Sequence, residues 1–159
     1  MQTKKKLHPQ QHEGRKLMKK NVLAAIDLTH LQDQKHILEE AKRFVDLDGG
    51  TLNVMTVLPP LGGAWVATWF KDDAEETMLQ EADKALHTFV NETLGTETRA
   101  RHIVSHGTVY EEILEMAERL SIDLIVMGAH RPELSDYLLG PNAARVARHS
   151  KCSVYIVRE

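Results

Sequence analysis

The apolar run Leu124-Ile-Val-Met127 is followed by Gly128-Ala-His-Arg-Pro-Glu-Leu-Ser-Asp-Tyr-Leu-Leu-Gly140-Pro-Asn-Ala-Ala-Arg-Val146. A strand, a glycine at its carboxyl end, a polar loop and a second glycine at a helix start are typical of a mononucleotide-phosphate cradle. Backbone N–H groups at such a helix start can face an anion. The pattern therefore predicts an anion site between Gly128 and Gly140.

Apolar strand patterns alternate with amphipathic helix patterns on both sides of this loop. The sequence predicts strands over 22–26, 51–58, 99–105, 124–127 and 154–157, and helices over 31–47, 73–94, 109–120 and 141–149. Five strands separated by four helices indicate right-handed βαβ units. The predicted fold class is α/β, a single doubly wound five-stranded parallel sheet with helices on both faces.

Ligands of open parallel sheets bind beyond the carboxyl ends of the strands, where the strand order reverses. If the order is 3-2-1-4-5, this switch point lies between the first and fourth strands. Their carboxyl ends are Ala25-Ile-Asp27 and Met127-Gly128. We therefore expect these two segments to meet at one crevice.

Length and charge restrict the domain organisation. The 159 residues, 42% of them hydrophobic, suit one well-buried core, predicted over 21–159. Residues 1–20 carry a net charge of +6 and no apolar segment, so we expect them to form a disordered leader. The remaining residues carry a net charge of −9, which disfavours nucleic-acid binding. No apolar run is long enough for a membrane span. With Cys152 as the only cysteine, a reducing, cytoplasmic location is expected.

The segments Val22–Asp27, Asp123–Gly128 and Gly140–Arg158 closely resemble the universal stress protein family over about 140 residues. Nucleotide-binding members resemble G-x2-G-x9-G-[ST], with ATP held by that loop. Here Arg131 replaces the middle glycine, the spacer has eight residues, and Pro141 replaces the hydroxyl residue. This variant is similar to the enterobacterial F/G-type branch, and the resemblance implies an adenine-nucleotide α-hydrolase-like sheet in the order 3-2-1-4-5.

The loop variant leaves two interpretations open, nucleotide binding or a tight structural loop. Arg131 lacks the conformational freedom of glycine but offers a guanidinium that matches phosphate, and Pro141 suits a first helical position. Asp27 is likewise either a ligand contact or a helix N-cap. The nucleotide-binding residues that follow from the loop and the resemblance are Ala25, Asp27, Val57, Met127, Gly128, His130, Arg131, Gly140, Asn142 and Ala143.

The resemblance implies a regulatory module that binds ATP, ADP, AMP or another adenine nucleotide, with Mg²⁺ as the one metal expected beside it. The alternatives are a nucleotide-free homodimeric interaction protein and, ranked last, an adenine-nucleotide hydrolase. No catalytic motif is visible, so we expect slow ATP hydrolysis at most. His102 and His106 lie four residues apart in a predicted strand and turn, a spacing that does not converge on a metal.

Two further segments predict protein contacts. The aromatic segment Trp65–Phe70 either docks a partner, covers the nucleotide or packs beneath the second long helix. The last strand, Ser153–Val157, would be an exposed apolar sheet edge in a monomer. Because the family pairs this strand across a two-fold axis, we expect a homodimer.

Overall fold

A computed structural model describes residues 19–60, 72–129 and 139–158. The strands are β1 (Asn21–Ala25), β2 (Thr51–Leu58), β3 (Ala100–His106), β4 (Leu124–Gly128) and β5 (Ser153–Val157). The helices are α1 (Leu31–Asp48), α2 (Asp72–Leu94), α3 (Val109–Arg119) and α4 (Pro141–His149). A short 3-10 turn, Leu28–His30, precedes α1.

The five strands form one parallel sheet in the order β3-β2-β1-β4-β5, which confirms the predicted fold class. Val22 of β1 lies between Leu52 of β2 and Leu124 of β4 in the pairing register. The strand order therefore reverses between β1 and β4, and their carboxyl ends open onto the same edge of the sheet. This is the position at which such sheets bind ligands.

Two apolar layers enclose the sheet because successive strand residues point to opposite faces. On one face, α1 and α2 cover Val22, Ala24, Val54 and Val126, all fully buried. On the other face, α3 and α4 cover a second cluster that includes Leu23, Met55, Ile125, Ile113 and Val146. Burial on both faces explains why β1 and β4 appear in the sequence as continuous apolar runs.

The connection from α1 to β2 depends on a pair of glycines. Gly49 adopts φ 64°, a left-handed conformation that ends α1, and the Gly50 N–H donates to the Val45 carbonyl at 3.0 Å. A Cβ built on Gly50 would lie 1.9 Å from the carbonyl oxygen of Lys20. The turn therefore requires a residue without a side chain at position 50.

The predicted boundaries of β2 and α4 agree with the structure, and the others differ by a residue or two. One difference concerns β3, which extends to His106, so that this residue lies in the strand and not in a turn. Another is the 3-10 turn after Asp27, which was not among the predicted elements. In the described ranges, no helix has the length and apolar content needed to cross a membrane. Residues 1–18 of the predicted leader lie outside the described residues.

Candidate functional site

A cavity of about 550 Å³ opens at the carboxyl ends of β1, β2 and β4. Eight of the ten predicted nucleotide-binding residues line it: Ala25, Asp27, Val57, Met127, Gly128, Gly140, Asn142 and Ala143. The other two, His130 and Arg131, lie outside the described residues. The structure therefore brings the two predicted segments together, while binding by these residues stays a prediction.

The inner wall of the cavity is apolar. Met127 and Met55 are buried, and Val57 is half-buried on the neighbouring strand. Val109 and Ile113, from the first turns of α3, complete this wall. Flat apolar ring systems bind in such surroundings, where a few polar groups fix their orientation.

Asp27 lies at the mouth of the cavity and caps the 3-10 turn. Its Oδ1 accepts hydrogen bonds from the backbone N–H of Thr29 at 2.9 Å and from the Thr29 hydroxyl at 2.6 Å. The Nδ1 atom of His30 lies 2.8 Å from the Thr29 hydroxyl and 3.3 Å from Asp27 Oδ2. Asp27 thus caps the 3-10 turn, whereas the N-cap residue of the predicted helix α1 is His30. The place of Asp27 in the cavity wall leaves a ligand contact compatible with capping.

The first turn of α4 faces the cavity from the β4 side. Gly140 is its N-cap, held by a hydrogen bond of 2.8 Å from its N–H to the Ala129 carbonyl, and Pro141 occupies the first helical position. The Ala144 N–H donates to the Gly140 carbonyl at 2.9 Å, the first bond within the helix. Helix geometry leaves the N–H groups of Asn142 and Ala143 without intrahelical acceptors. Those two groups and the helix dipole favour an anion at this position.

Gly128 lies in close contact with α1 at the end of β4. A Cβ at this position would lie 3.0 Å from Ile37 Cδ1, on the α1 side of the sheet. Its absence lets α1 approach the strand end closely. A side chain at this position would therefore need a small shift of Ile37, a residue that also lines the cavity.

Several polar residues that were not predicted as site residues also line the cavity: Thr29, His30, Asp33, Gln34, His36 and Arg158. Two features of the sequence could have indicated these cavity residues. Asp27-Leu-Thr-His30 places polar side chains directly after a predicted strand. Arg158 directly follows the last predicted strand, and the carboxyl ends of parallel strands share one edge of the sheet.

His102 lies away from this cavity, against α2. Its ring stacks on the His87 ring with centroids 3.6 Å apart, and its buried Nε2 has no hydrogen-bond partner among the described residues. Burial lowers the pKa of His102, the proximity of His87 lowers it further, and Asp83 partly opposes both effects. Among the described residues, no group of three or more His, Cys, Asp or Glu side chains is arranged to hold a metal ion. The aromatic segment Trp65–Phe70 lies outside the described residues.

Together these features define an α/β protein with a doubly wound parallel sheet and a ligand-sized cavity at its switch point. The chain belongs to the universal stress protein family, whose family model matches residues 18–158. It is 30% identical to Universal stress protein G from Escherichia coli O157:H7 over 143 residues, which cover 89% of this chain and all of that protein.

Two solved structures share the fold. Universal stress protein UspA from Lactobacillus plantarum superposes with a TM-score of 0.67 at 21% identity, covering 87% of this chain and 97% of that one. A universal stress protein in complex with cAMP superposes with a TM-score of 0.56 at 22% identity, covering 88% and 97%. At these identities the likeness shows the shared fold alone.

Proposed function

We propose that this protein is a regulatory module that binds ATP or another adenine nucleotide in the cavity between β1 and β4. The observation that carries the proposal is the convergence of eight predicted residues on one cavity of about 550 Å³. That volume lies within the range of small-ligand sites.

The cavity divides into regions that suit the parts of a nucleotide. The apolar wall that includes Val57 and Met127 suits the adenine ring. Asp27 offers carboxylate oxygens to ribose hydroxyls or an adenine amino group. The N–H groups of Asn142 and Ala143 suit the phosphates, because they carry the positive end of the α4 dipole.

Two departures from the family's loop pattern bear on the strength of binding. Pro141 removes one N–H donor at the start of α4, although the N–H groups of the next two residues remain. We further propose that Arg131 contributes a guanidinium in place of the middle glycine. The cAMP complex of a related fold supports an adenine nucleotide as the class of ligand.

The proposed output is a change in conformation or partner contact upon binding, in the cytoplasm and in a stress response, and not turnover. The chain lacks a Walker-type lysine motif, which ATP-hydrolysing P-loop proteins use to bind the phosphates. Mg²⁺ would accompany a bound triphosphate. Slow hydrolysis would be compatible with this role, because the signal requires occupancy alone.

Two measurements test the proposal. Purified protein is denatured, and the released small molecules are identified by mass spectrometry. The same preparation, stripped of ligand, is titrated calorimetrically with ATP, ADP, AMP and cAMP. Release or saturable binding of an adenine nucleotide supports the proposal. A blank in both measurements contradicts it and favours a nucleotide-free interaction protein.

The outer edge of β5 supports a homodimer. A homodimer is expected both for the nucleotide-binding module and for the nucleotide-free interaction protein. β5 pairs only with β4 among the described strands, and Tyr155 is 39% exposed on it. The Tyr155 ring packs edge-on against Phe44 of α1, with centroids 5.1 Å apart, and Leu47 of the same helix is 73% exposed. We propose that a second copy covers this edge, since uncovered edge strands promote association. Sedimentation of a stable monomer at micromolar concentration would contradict it.

A further inference from the structure

Arg158 is the one lysine or arginine among the described residues that line the nucleotide cavity. Its position is fixed by the sheet, because the preceding Val157 pairs with Gly128 in the β4–β5 register. The N–H of Ala129 donates to the Val157 carbonyl at 2.9 Å. The backbone of Arg158 is therefore held beside the first glycine of the loop.

No carboxylate lies within ion-pair distance of the Arg158 guanidinium among the described residues. Lys151, at the opposite end of β5, pairs with Glu118 at 2.9 Å. Arg158 is exposed at the rim of the cavity, so its charge and its planar set of donors remain available to an anion.

The β1 side of the cavity carries charge of the opposite sign. Asp27 and Asp33 line it from the 3-10 turn and the first turn of α1. Carboxylates repel a phosphate tail, whereas a guanidinium binds it through two parallel hydrogen bonds. The charges thus favour one orientation, with the nucleoside towards Asp27 and the phosphates towards α4 and β5.

We infer that Arg158 contributes to the selection of phosphorylated nucleotides over the bare nucleoside, by contacting the phosphate tail as it meets the first turn of α4. This inference rests on the proposed nucleotide site. It assigns part of this discrimination to a residue outside the loop, which the pairing of β5 with β4 places beside Gly128.

The experiment compares adenosine, AMP and ATP by titration calorimetry at fixed pH and low ionic strength. Wild type, Arg158→Gln, Arg158→Lys and Arg148→Gln are measured. Arg148→Gln removes the same charge from the exposed last turn of α4, away from the cavity, and serves as the matched control. The ratio of ATP to adenosine affinity is the quantity compared, because it cancels any general loss of folded protein.

We expect Arg158→Gln to lower this ratio about tenfold, the scale of one hydrogen bond to a charged group. Adenosine affinity stays unchanged, Arg158→Lys retains part of the ratio, and the control retains all of it. An unchanged ratio in Arg158→Gln overturns the inference while leaving the site intact, and so does an equal loss of adenosine and ATP. If wild type binds none of the three compounds, the proposed function itself is contradicted.

Discussion

Replacement of Asp27 separates its capping role from its proposed contact with the nucleoside. Asp27 Oδ1 accepts two hydrogen bonds from Thr29, one of them the cap of the 3-10 turn. Asp27→Ala removes both, and a lost cap with a half-exposed hydrogen bond costs about 1 to 2 kcal/mol. For a domain of this size the melting temperature falls by about 3 to 6 °C.

Asp27→Asn keeps the amide oxygen in the place of Oδ1, and asparagine caps as well as aspartate, so we expect stability within about 0.5 kcal/mol of wild type. The substitution replaces one acceptor oxygen with a donor group. Adenosine affinity should then fall about tenfold, as expected for the loss of a hydrogen bond to a charged group. Adenosine is the appropriate ligand because it has no phosphate for the carboxylate to repel.

Scanning fluorimetry and calorimetric titration on the same preparations measure the two effects. Asp46→Asn is the matched control, since it removes the same charge from the exposed face of α1, where Asp46 pairs with Lys42. Unchanged adenosine binding by Asp27→Asn would refute the nucleoside contact and leave Asp27 as a cap alone. Wild-type stability of Asp27→Ala would refute the capping argument.

Three further predictions concern the scaffold and the assembly. Gly50→Ala should lower the free energy of unfolding in urea by about 1 to 3 kcal/mol, because the new Cβ meets the Lys20 carbonyl oxygen; an unchanged midpoint would contradict that close approach. Burial and the adjacent His87 lower the pKa of His102 from 6.5, so the unfolded chain takes up a proton there before the folded one. Stability should therefore fall as the pH drops below about 6.5, and His102→Gln should remove this component of the pH dependence; an identical slope in the variant argues against it. Tyr155→Lys should convert the proposed dimer to a monomer in sedimentation velocity, since a charge then lies on the β5 edge, and a persistent dimer would exclude this interface.

Much of the fold could be predicted from local patterns. The apolar runs that became β1 and β4 are buried on both faces of the sheet, and such burial leaves few polar residues within them. The start of α4 was clear because glycine followed by proline marks an N-cap and a first helical position. The two cavity-forming segments were predicted because strand ends of a doubly wound sheet converge at its switch point.

Local patterns could not predict the role of residues whose partners lie far away in the sequence. Asn53 appears in the sequence as a polar interruption of β2, yet it is buried and donates to Asn21 Oδ1 at 2.7 Å and to the Val22 carbonyl at 3.0 Å. Gly50 appears as half of a helix-ending pair, and only the close approach of Lys20 makes a side chain there impossible. Each partner lies about thirty residues away along the chain, beyond the reach of any local pattern.

Local sequence patterns were enough to predict the α/β class, the succession of strands and helices along the chain, and the segments that form the cavity. These follow from hydrophobic periodicity and from the glycines and prolines that end each element. The polar groups that share the cavity with those segments became known only from the three-dimensional arrangement of the strands and helices. Asp27 caps the 3-10 turn because the chain turns at Leu28, and Arg158 lies beside Gly128 because β5 pairs with β4. The reason is that hydrogen bonds and charges act through distances in space, which strand pairing sets and sequence separation does not.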